Sequence, residues 1–189
     1  MTEPRDPLLR HRDGDPEAFA ALVADYRRPV YSYLIRCGVA VGDRDDLFQA
    51  VFLKIHRAAP QYRAELPSHP WIFTIVANEV RSYLRRRRVR ELVFAAPAER
   101  EPEDSAPGGE RAAQARETVA WLEGQIRLLP LAQREVLVLV SLEGRPLGEV
   151  AQALGLPLNT VKTHLRRARL ALGEKLARRH VVGKGEERS

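Results

Sequence analysis

Residues 146–172 read PLGEVAQALGLPLNTVKTHLRRARLAL and decide the fold of the C-terminal part of the chain. A short helical pattern carries apolar residues at Val150, Ala151 and Leu154, and Gly155 follows as a residue that tolerates the positive φ of a helix end. After the glycine, the same three-to-four residue period resumes at Val161, Leu165, Ala168 and Leu172. The stretch therefore predicts two helices joined by a tight turn, a helix-turn-helix.

The second of these helices carries hydrogen-bond donors opposite its apolar stripe, at Lys162, Thr163, Arg166, Arg167 and Arg169. A helix of this kind fits the major groove of duplex DNA. Basic residues also occupy many solvated helix faces, so their charge alone does not decide the role. The short first helix, the glycine turn and the nearly acid-free run together favour DNA binding.

The composition predicts an all-α protein. At 189 residues and 44% hydrophobic, the chain can bury one ordinary core or two small ones. Aromatic residues make up only 6%, and Ala, Leu, Val and Arg dominate. These residues favour helices with thin aliphatic cores, so we expect almost no strand.

The charge distribution points to an anionic partner. The net charge is +6, and it is concentrated in two clusters. Six Arg stand against one Glu in residues 81–91, and seven Lys or Arg stand against one Glu in residues 159–180. Nucleic acid is the partner that this pattern favours.

Cysteine and histidine usage argues against a metal centre or an enzyme. Cys37 is the only cysteine, so no intramolecular disulfide or multi-cysteine zinc site is possible, and we expect a small buried hydrophobe there. The histidines are scattered and the chain has no phosphate-binding glycine loop. Without a signal peptide or an apolar run of membrane-spanning length, we expect a cytoplasmic protein with no membrane insertion.

Three helices are predicted to share one core in an N-terminal domain, residues 1–94. The first begins at Asp15 with a proline after it and ends at Gly38; the second begins at Asp43. Residues 59–70 are a loop by their proline content, and a long helix with an apolar stripe follows.

A flexible acidic linker is predicted at residues 95–117, where periodicity fades and six acids stand against three Arg. Three prolines and a Gly-Gly pair support this interpretation. Helical periodicity then returns, so the second domain, which contains the helix-turn-helix, spans residues 118–189. The predicted architecture is two small helical domains joined by a flexible linker.

Two regions of the chain resemble one protein family. DRDDLFQAVFLKIHR (residues 43–57) and WIFTIVANEVRSYLRRRR (residues 71–88) are similar to the N-terminal conserved region of extracytoplasmic-function sigma factors. LPLAQREVLVLVSLEGRPLGEVAQALGLPLNTVKTHLRRARLAL (residues 129–172) is similar to their C-terminal region. The chain departs from the common pattern at Ser68, before the tryptophan, and at Ser82, where an Asp is usual.

This resemblance implies a dissociable specificity subunit of bacterial core RNA polymerase, with no reaction or cofactor of its own. The N-terminal domain would bind the polymerase clamp helices and read and open the minus-ten element of promoter DNA, and the C-terminal domain would read the minus-thirty-five element. An anti-sigma factor would clamp the two domains and hide their faces. The free protein is expected to be a monomer.

The resemblance and the helical spacing together select three sets of contact residues. The core polymerase set is Asp45, Asp46, Gln49, Phe52 and Leu53, in which the two acids also suit the positive helix N-terminus. The minus-ten set is Tyr62, Arg63, Asn78, Arg81, Arg85 and Arg88, with loop residues stacking on an unstacked base and arginines on phosphates. The minus-thirty-five set is Asn159, Thr160, Lys162, Thr163, Arg166, Arg167 and Arg169.

Two other functions use the same features. An autonomous dimeric helix-turn-helix regulator would need a dimer surface and no polymerase, and the order of the two domains argues against it. A sigma-mimicking adaptor that binds a regulatory protein would not need the basic faces that both domains carry.

Overall fold

A computed structural model describes residues 6–63, 65, 67–94 and 110–186. All regular structure in these residues is helical, so the predicted all-α class is confirmed. The helices of the N-terminal part are α1 (Pro7–Arg12), α2 (Ala18–Cys37), α3 (Arg44–Ala58) and α4 (Ser68–Phe94), with short 3-10 turns at Val41–Asp43 and Ala59–Gln61. Those of the C-terminal part are α5 (Glu110–Arg127), α6 (Leu131–Leu137), α7 (Leu147–Leu154) and α8 (Leu158–Glu186).

The N-terminal helices begin and end where local chemistry favours it. Gly38 ends α2 with φ of +90°, a conformation that glycine adopts without strain. The short helix α1 was not predicted, because six residues carry too little periodicity; Pro7 starts it and the Asp6 carboxylate accepts a hydrogen bond from the Leu8 amide at 2.9 Å. The predicted loop at residues 59–70 is shorter than expected, since Ser68 already begins α4 and a helix tolerates Pro70 in its first turn.

The linker prediction falls largely on residues 95–109, which lie outside the described part of the chain. Residues 110–117, which the prediction also assigned to the linker, belong to α5. Their sequence, ERAAQARE, consists of good helix formers, and the loss of apolar periodicity there does not prevent a helix. Beyond Leu137, the α6 helix continues as wider π turns through Leu142.

The predicted helix-turn-helix is confirmed in α7 and α8. The first helix ends at Gly155, whose φ is +65°. The apolar stripe of α8 is buried, with Val161 and Ala168 fully buried and Leu165 8% exposed. This stripe holds α8 against α6 and α7 and leaves the opposite face of α8 to solvent.

The two halves of the chain are packed directly against each other, which the sequence did not predict. Helix α7 lies against α4, and α2 contacts both α5 and α6. Buried apolar residues of both halves form one continuous cluster across this seam. The first domain of the sigma-like pattern and the helix-turn-helix are therefore held together as a closed pair.

A buried histidine marks one end of this seam. His69 on α4 is 6% exposed, and its ring stacks on Phe73 with the centroids 4.4 Å apart. Its Nδ1 lies 3.9 Å from the Oε2 atom of Glu149 on α7. Burial, helped by the positive charge of Arg145, lowers the pKa of His69 to about 4.

Acid should destabilise the folded chain through His69. Its folded pKa of about 4 lies below the ordinary 6.5, so the unfolded chain takes up the proton first as the pH falls. The contribution of His69 to the free energy of unfolding is fully present above about pH 6.5 and is lost as the pH falls towards 4. The loss at pH 4.5 is roughly 2–3 kcal/mol. His69→Phe, which keeps a ring against Phe73, should remove that part of the decline in urea unfolding, whereas His164→Gln should keep it. An equal decline in wild type and His69→Phe would contradict the assignment.

Candidate nucleic-acid and protein-binding surfaces

The outward face of α8 presents the predicted minus-thirty-five set to solvent. Six of its seven members are exposed, and Thr160 is half-buried. Thr163 donates a hydrogen bond from its hydroxyl to the Asn159 carbonyl at 2.9 Å, and Arg169 donates to the Ser141 hydroxyl at 3.2 Å. The positive end of the helix dipole lies at Asn159 and Thr160, where it attracts phosphate. The face can therefore offer base contacts flanked by backbone contacts.

The long helix α4 presents a second basic face. Asn78, Arg85 and Arg88 are exposed, and their spacing of seven and three residues places them on one side of the helix. Arg81 lies on the same side, but its guanidinium is engaged by Glu135 of the other half of the chain. Three members of the minus-ten set are thus free to meet nucleic acid, and a fourth is occupied.

The two loop residues that were predicted to stack on a base, Tyr62 and Arg63, differ in their exposure to solvent. Tyr62 is only 3% exposed, and its ring lies 5.2 Å from that of Trp71, centroid to centroid. Arg63, in contrast, is exposed. The structure therefore places Tyr62 in the core of the N-terminal domain, and Arg63 is the loop residue that offers an accessible surface.

The predicted polymerase-binding face on α3 is acidic with an apolar edge. Asp45, Asp46 and Gln49 are exposed, and Leu53 is 48% exposed. The hydroxyl of Tyr31 donates a hydrogen bond to Asp45. Phe52 differs from the expectation because it is 4% exposed, so of the two predicted apolar residues only Leu53 is accessible on this face.

The structure shows a polar cluster in the seam that sequence reasoning missed. Glu135 is 1% exposed and accepts hydrogen bonds from Arg81 Nε to Oε1 and Arg81 Nη2 to Oε2, both at 2.9 Å. The Tyr33 hydroxyl donates a third, to Oε1 at 3.0 Å. Beside it, Arg134 donates to the Cys37 carbonyl at 2.8 Å. We call Tyr33, Cys37, Arg81, Arg134 and Glu135 the seam cluster.

The electrostatics of the seam cluster follow from its burial. Burial raises the pKa of the Tyr33 phenol, and burial together with the Glu135 charge raises that of the Cys37 thiol. Burial is the largest effect on the pKa of Arg81 and lowers it, but the hydrogen bonds to Glu135 and the Glu135 charge together outweigh burial and raise the pKa. One sequence signal was available: Glu135 interrupts the apolar period of Leu131, Val138 and Leu142.

Family models match both halves of the chain. The model described as Sigma-70 region 2 matches residues 22–90, which include the α3 and α4 faces. The model described as Sigma-70 region 4 matches residues 120–172, which include α7 and all seven residues of the α8 face. The chain belongs to the sigma-70 family. It is an alternative sigma factor of the extracytoplasmic-function group, which directs RNA polymerase to promoters.

Curated relatives span nearly the whole sigma factor. It is 33% identical to the RNA polymerase sigma factor NccH of Alcaligenes xylosoxydans xylosoxydans, over 91% of this chain and 95% of that protein. It is 31% identical to the ECF RNA polymerase sigma factor SigM of Mycobacterium tuberculosis, over 89% of this chain and 82% of that one.

A solved structure of CnrH in complex with the cytosolic domain of CnrY is similar in fold. The TM-score is 0.69 at 26% identity, and the match covers 91% of this chain and 97% of that one.

Across the described residues, no helix has the length and apolarity needed to cross a membrane. Nor do those residues bring together three or more His, Cys, Asp or Glu as a metal site.

The contrast between Tyr62 and Arg63 can be tested by stability. Tyr62→Ala should lower the free energy of unfolding by roughly 3 kcal/mol, because it removes a buried aromatic ring. Arg63→Ala is the matched control and should stay within about 0.5 kcal/mol of wild type, as expected for an exposed residue. Urea unfolding followed by circular dichroism measures both. Equal, small losses would contradict the buried position of Tyr62.

Proposed function

We propose that this sigma factor binds core RNA polymerase through α3, reads the minus-thirty-five element with α8 and opens the minus-ten element with α4. The observation that carries this proposal is the pair of exposed basic faces on helices of two different family regions, together with an acidic face on α3. Each face lies on a rigid helix, which suits a reader that must hold a fixed register on DNA. The role needs no reaction of its own.

The α8 face supports major-groove reading. Arg166 and Arg167 can donate two hydrogen bonds each to guanine, and Thr163 can contact a thymine methyl group or a phosphate. Since Val161 and Ala168 anchor the helix from behind, these side chains extend from a fixed backbone. We assign Asn159, Thr160 and Arg169 to contacts with the DNA backbone.

The α4 face supports capture of a melted strand. Exposed Asn78 lies one helical turn or more from the arginines, so a base contact there can be combined with phosphate contacts at Arg85 and Arg88. Binding an unstacked base replaces duplex stacking with protein contacts, which supplies energy for opening. We keep Trp71 and Phe73 as structural residues, because Phe73 is fully buried and Trp71 packs on Tyr62.

The α3 face supports polymerase binding. Carboxylates at Asp45 and Asp46 suit an arginine-rich coiled coil, and Leu53 offers an apolar anchor beside them. The alternative explanation, that the acids only favour the helix N-terminus, still applies to both, since they lie in the first turn of α3. Exposed Gln49 has no such explanation and strengthens the contact hypothesis.

We further propose an anti-sigma factor as regulatory partner and the cytoplasm as the site of action. The similar structure of CnrH was solved with the cytosolic domain of CnrY bound, and its match extends over both halves of this chain. An autonomous dimeric regulator, the alternative considered for the sequence, would bind DNA as a dimer without polymerase. Of the predicted domain boundaries we retain residues 1–94 for the first domain, and the second domain begins with α5 at Glu110 instead of residue 118.

Run-off transcription tests the proposed function. The purified chain, added to bacterial core polymerase on genomic promoter fragments, should produce transcripts from discrete start sites that core polymerase alone does not produce. A protein that dimerises and binds a palindrome without polymerase would support the regulator instead. Absence of discrete starts on every fragment would overturn the proposal.

Arg167→Ala should change promoter preference on the start sites mapped in that assay. Loss of one base contact should cost roughly 1–3 kcal/mol on the matched minus-thirty-five sequence and little on a scrambled one. Lys175→Ala, two turns further along the same helix, is the control and should leave the preference unchanged. Competition binding of holoenzyme to the two DNAs measures the ratio. An equal loss on both would refute a base contact.

A further inference from the structure

We propose that Glu135 competes with DNA for Arg81. In the free sigma factor the Glu135 carboxylate binds the Arg81 guanidinium where a phosphate would bind, and this contact holds the chain closed. The inference rests on the proposed role of Arg81 in minus-ten binding. It adds that promoter opening and domain docking compete for the same guanidinium, so the free chain is autoinhibited without any partner protein.

The geometry of the contact imitates phosphate recognition. Arg81 donates from Nε and Nη2 to the two oxygens of Glu135, each at 2.9 Å. This parallel pairing is the one that a guanidinium also uses with a phosphate. The same edge of the guanidinium cannot serve both anions. A strand that takes Arg81 must therefore displace Glu135.

Because Glu135 is buried, DNA binding to Arg81 also affects the stability of the closed seam. Glu135 is 1% exposed, whereas the Arg81 side chain is 30% exposed and lies at the rim of the α4 basic face. A carboxylate left in that burial without its cation is strongly destabilising. When DNA binds Arg81, Glu135 is left buried without its cation, which destabilises the closed state. Opening of the seam then returns the carboxylate to water.

Further polar contacts hold the seam, and they join α2 to α5 and to the residue that follows the π turns. Ser32 on α2 donates to Glu143 at 2.5 Å, and Arg36 lies 3.2 Å from the Glu123 carboxylate. Gly38 makes room for Arg134, whose Nη1 would lie 3.0 Å from a Cβ at that position. These contacts place the pair inside a continuous docking surface.

Closure is incompatible with simultaneous reading of both promoter elements. Elements centred about 25 base pairs apart are separated by about 85 Å of B-DNA, at about 3.4 Å per base pair. In the closed chain α7 contacts α4, and only two residues separate the Gly155 turn from the start of α8. The start of α8 therefore stays close to α4, and both faces can reach their elements only after the seam opens.

Cys37 provides a built-in reporter of opening. It is the only cysteine of the chain, it is fully buried, and its carbonyl accepts the Arg134 hydrogen bond from across the seam. Burial also raises the pKa of its thiol, which keeps it unreactive in the closed chain. Separation of the halves removes the Arg134 and Glu135 side of its surroundings, so its reaction with a thiol reagent should accelerate.

The test uses full-length protein without polymerase and compares wild type, Glu135→Gln and Glu91→Gln. Glu91 accepts a hydrogen bond from Arg87 within α4 at 2.7 Å, so its substitution makes the same charge change beside the same basic face but outside the seam. Two quantities are measured at fixed salt: the rate at which Ellman's reagent modifies Cys37, and the affinity for a single-stranded DNA of roughly 20 nucleotides and mixed sequence.

Glu135→Gln should raise both the thiol rate and the DNA affinity by about tenfold, which corresponds to about 1.4 kcal/mol lost from the closed state. Glu91→Gln should leave the thiol rate at the wild-type value and change the affinity far less. In an Arg81→Ala background, Glu135→Gln should lower the thiol rate instead of raising it, because it removes a buried carboxylate that has already lost its cation. If Glu135→Gln changes the affinity no more than Glu91→Gln, or raises affinity with an unchanged thiol rate, the inference is wrong.

Ser32→Ala is a second variant that tests the inference even when Glu135→Gln does not fold. It removes the seam hydrogen bond to Glu143 and, within α2, the one that Ser32 accepts from Arg36, but it changes neither Glu135 nor the α4 face. It should shift both measurements in the same direction by a smaller factor. No shift in either would count against the inference. Failure of run-off transcription would overturn the proposed function alone, whereas active transcription with unchanged Glu135→Gln behaviour would overturn only the competition.

Discussion

A carboxylate buried in apolar surroundings must be supplied with donors, and the closed arrangement of this chain depends on that constraint at Glu135. Arg81 and Tyr33 supply three hydrogen bonds to it, and both belong to the other half of the molecule. Without them the burial would cost several kcal/mol. The pair therefore specifies which surfaces of the two halves meet, since an alternative docking would leave the charge without donors.

In both α8 and α4, one side of the helix is apolar and buried, and the opposite side is basic and exposed. In α8 the buried stripe of Val161, Leu165 and Ala168 fixes the helix on α6 and α7, and the opposite side carries the basic residues. In α4 the inner side enters the core through Ile72, Val76 and Val80, and the outer side carries the arginines. Rigid cores thus hold the residues that we propose to contact DNA in a defined register, as nucleic-acid reading requires.

Arg81 connects these two levels, because it belongs both to the exposed basic face of α4 and to the seam. A long side chain at the edge of an interface can satisfy either an internal carboxylate or an external phosphate with the same donors. Arg134, next to Glu135 in the chain, contributes only to docking through the Cys37 carbonyl. In the proposed competition, a single acidic residue, Glu135, therefore controls whether Arg81 is available to DNA.

The sequence by itself determined the helical class, the helix-turn-helix, the family and the exposed basic sets, because helical periodicity and charge are local properties of 10–20 residue windows. It did not determine that Tyr62 and Phe52 turn inwards, since an aromatic residue suits either a core or a contact surface until its neighbours are known. Nor did it reveal the seam. Docking depends on a match between Glu135 and residues about 50 to 100 positions away, and only the tertiary structure brings such residues together.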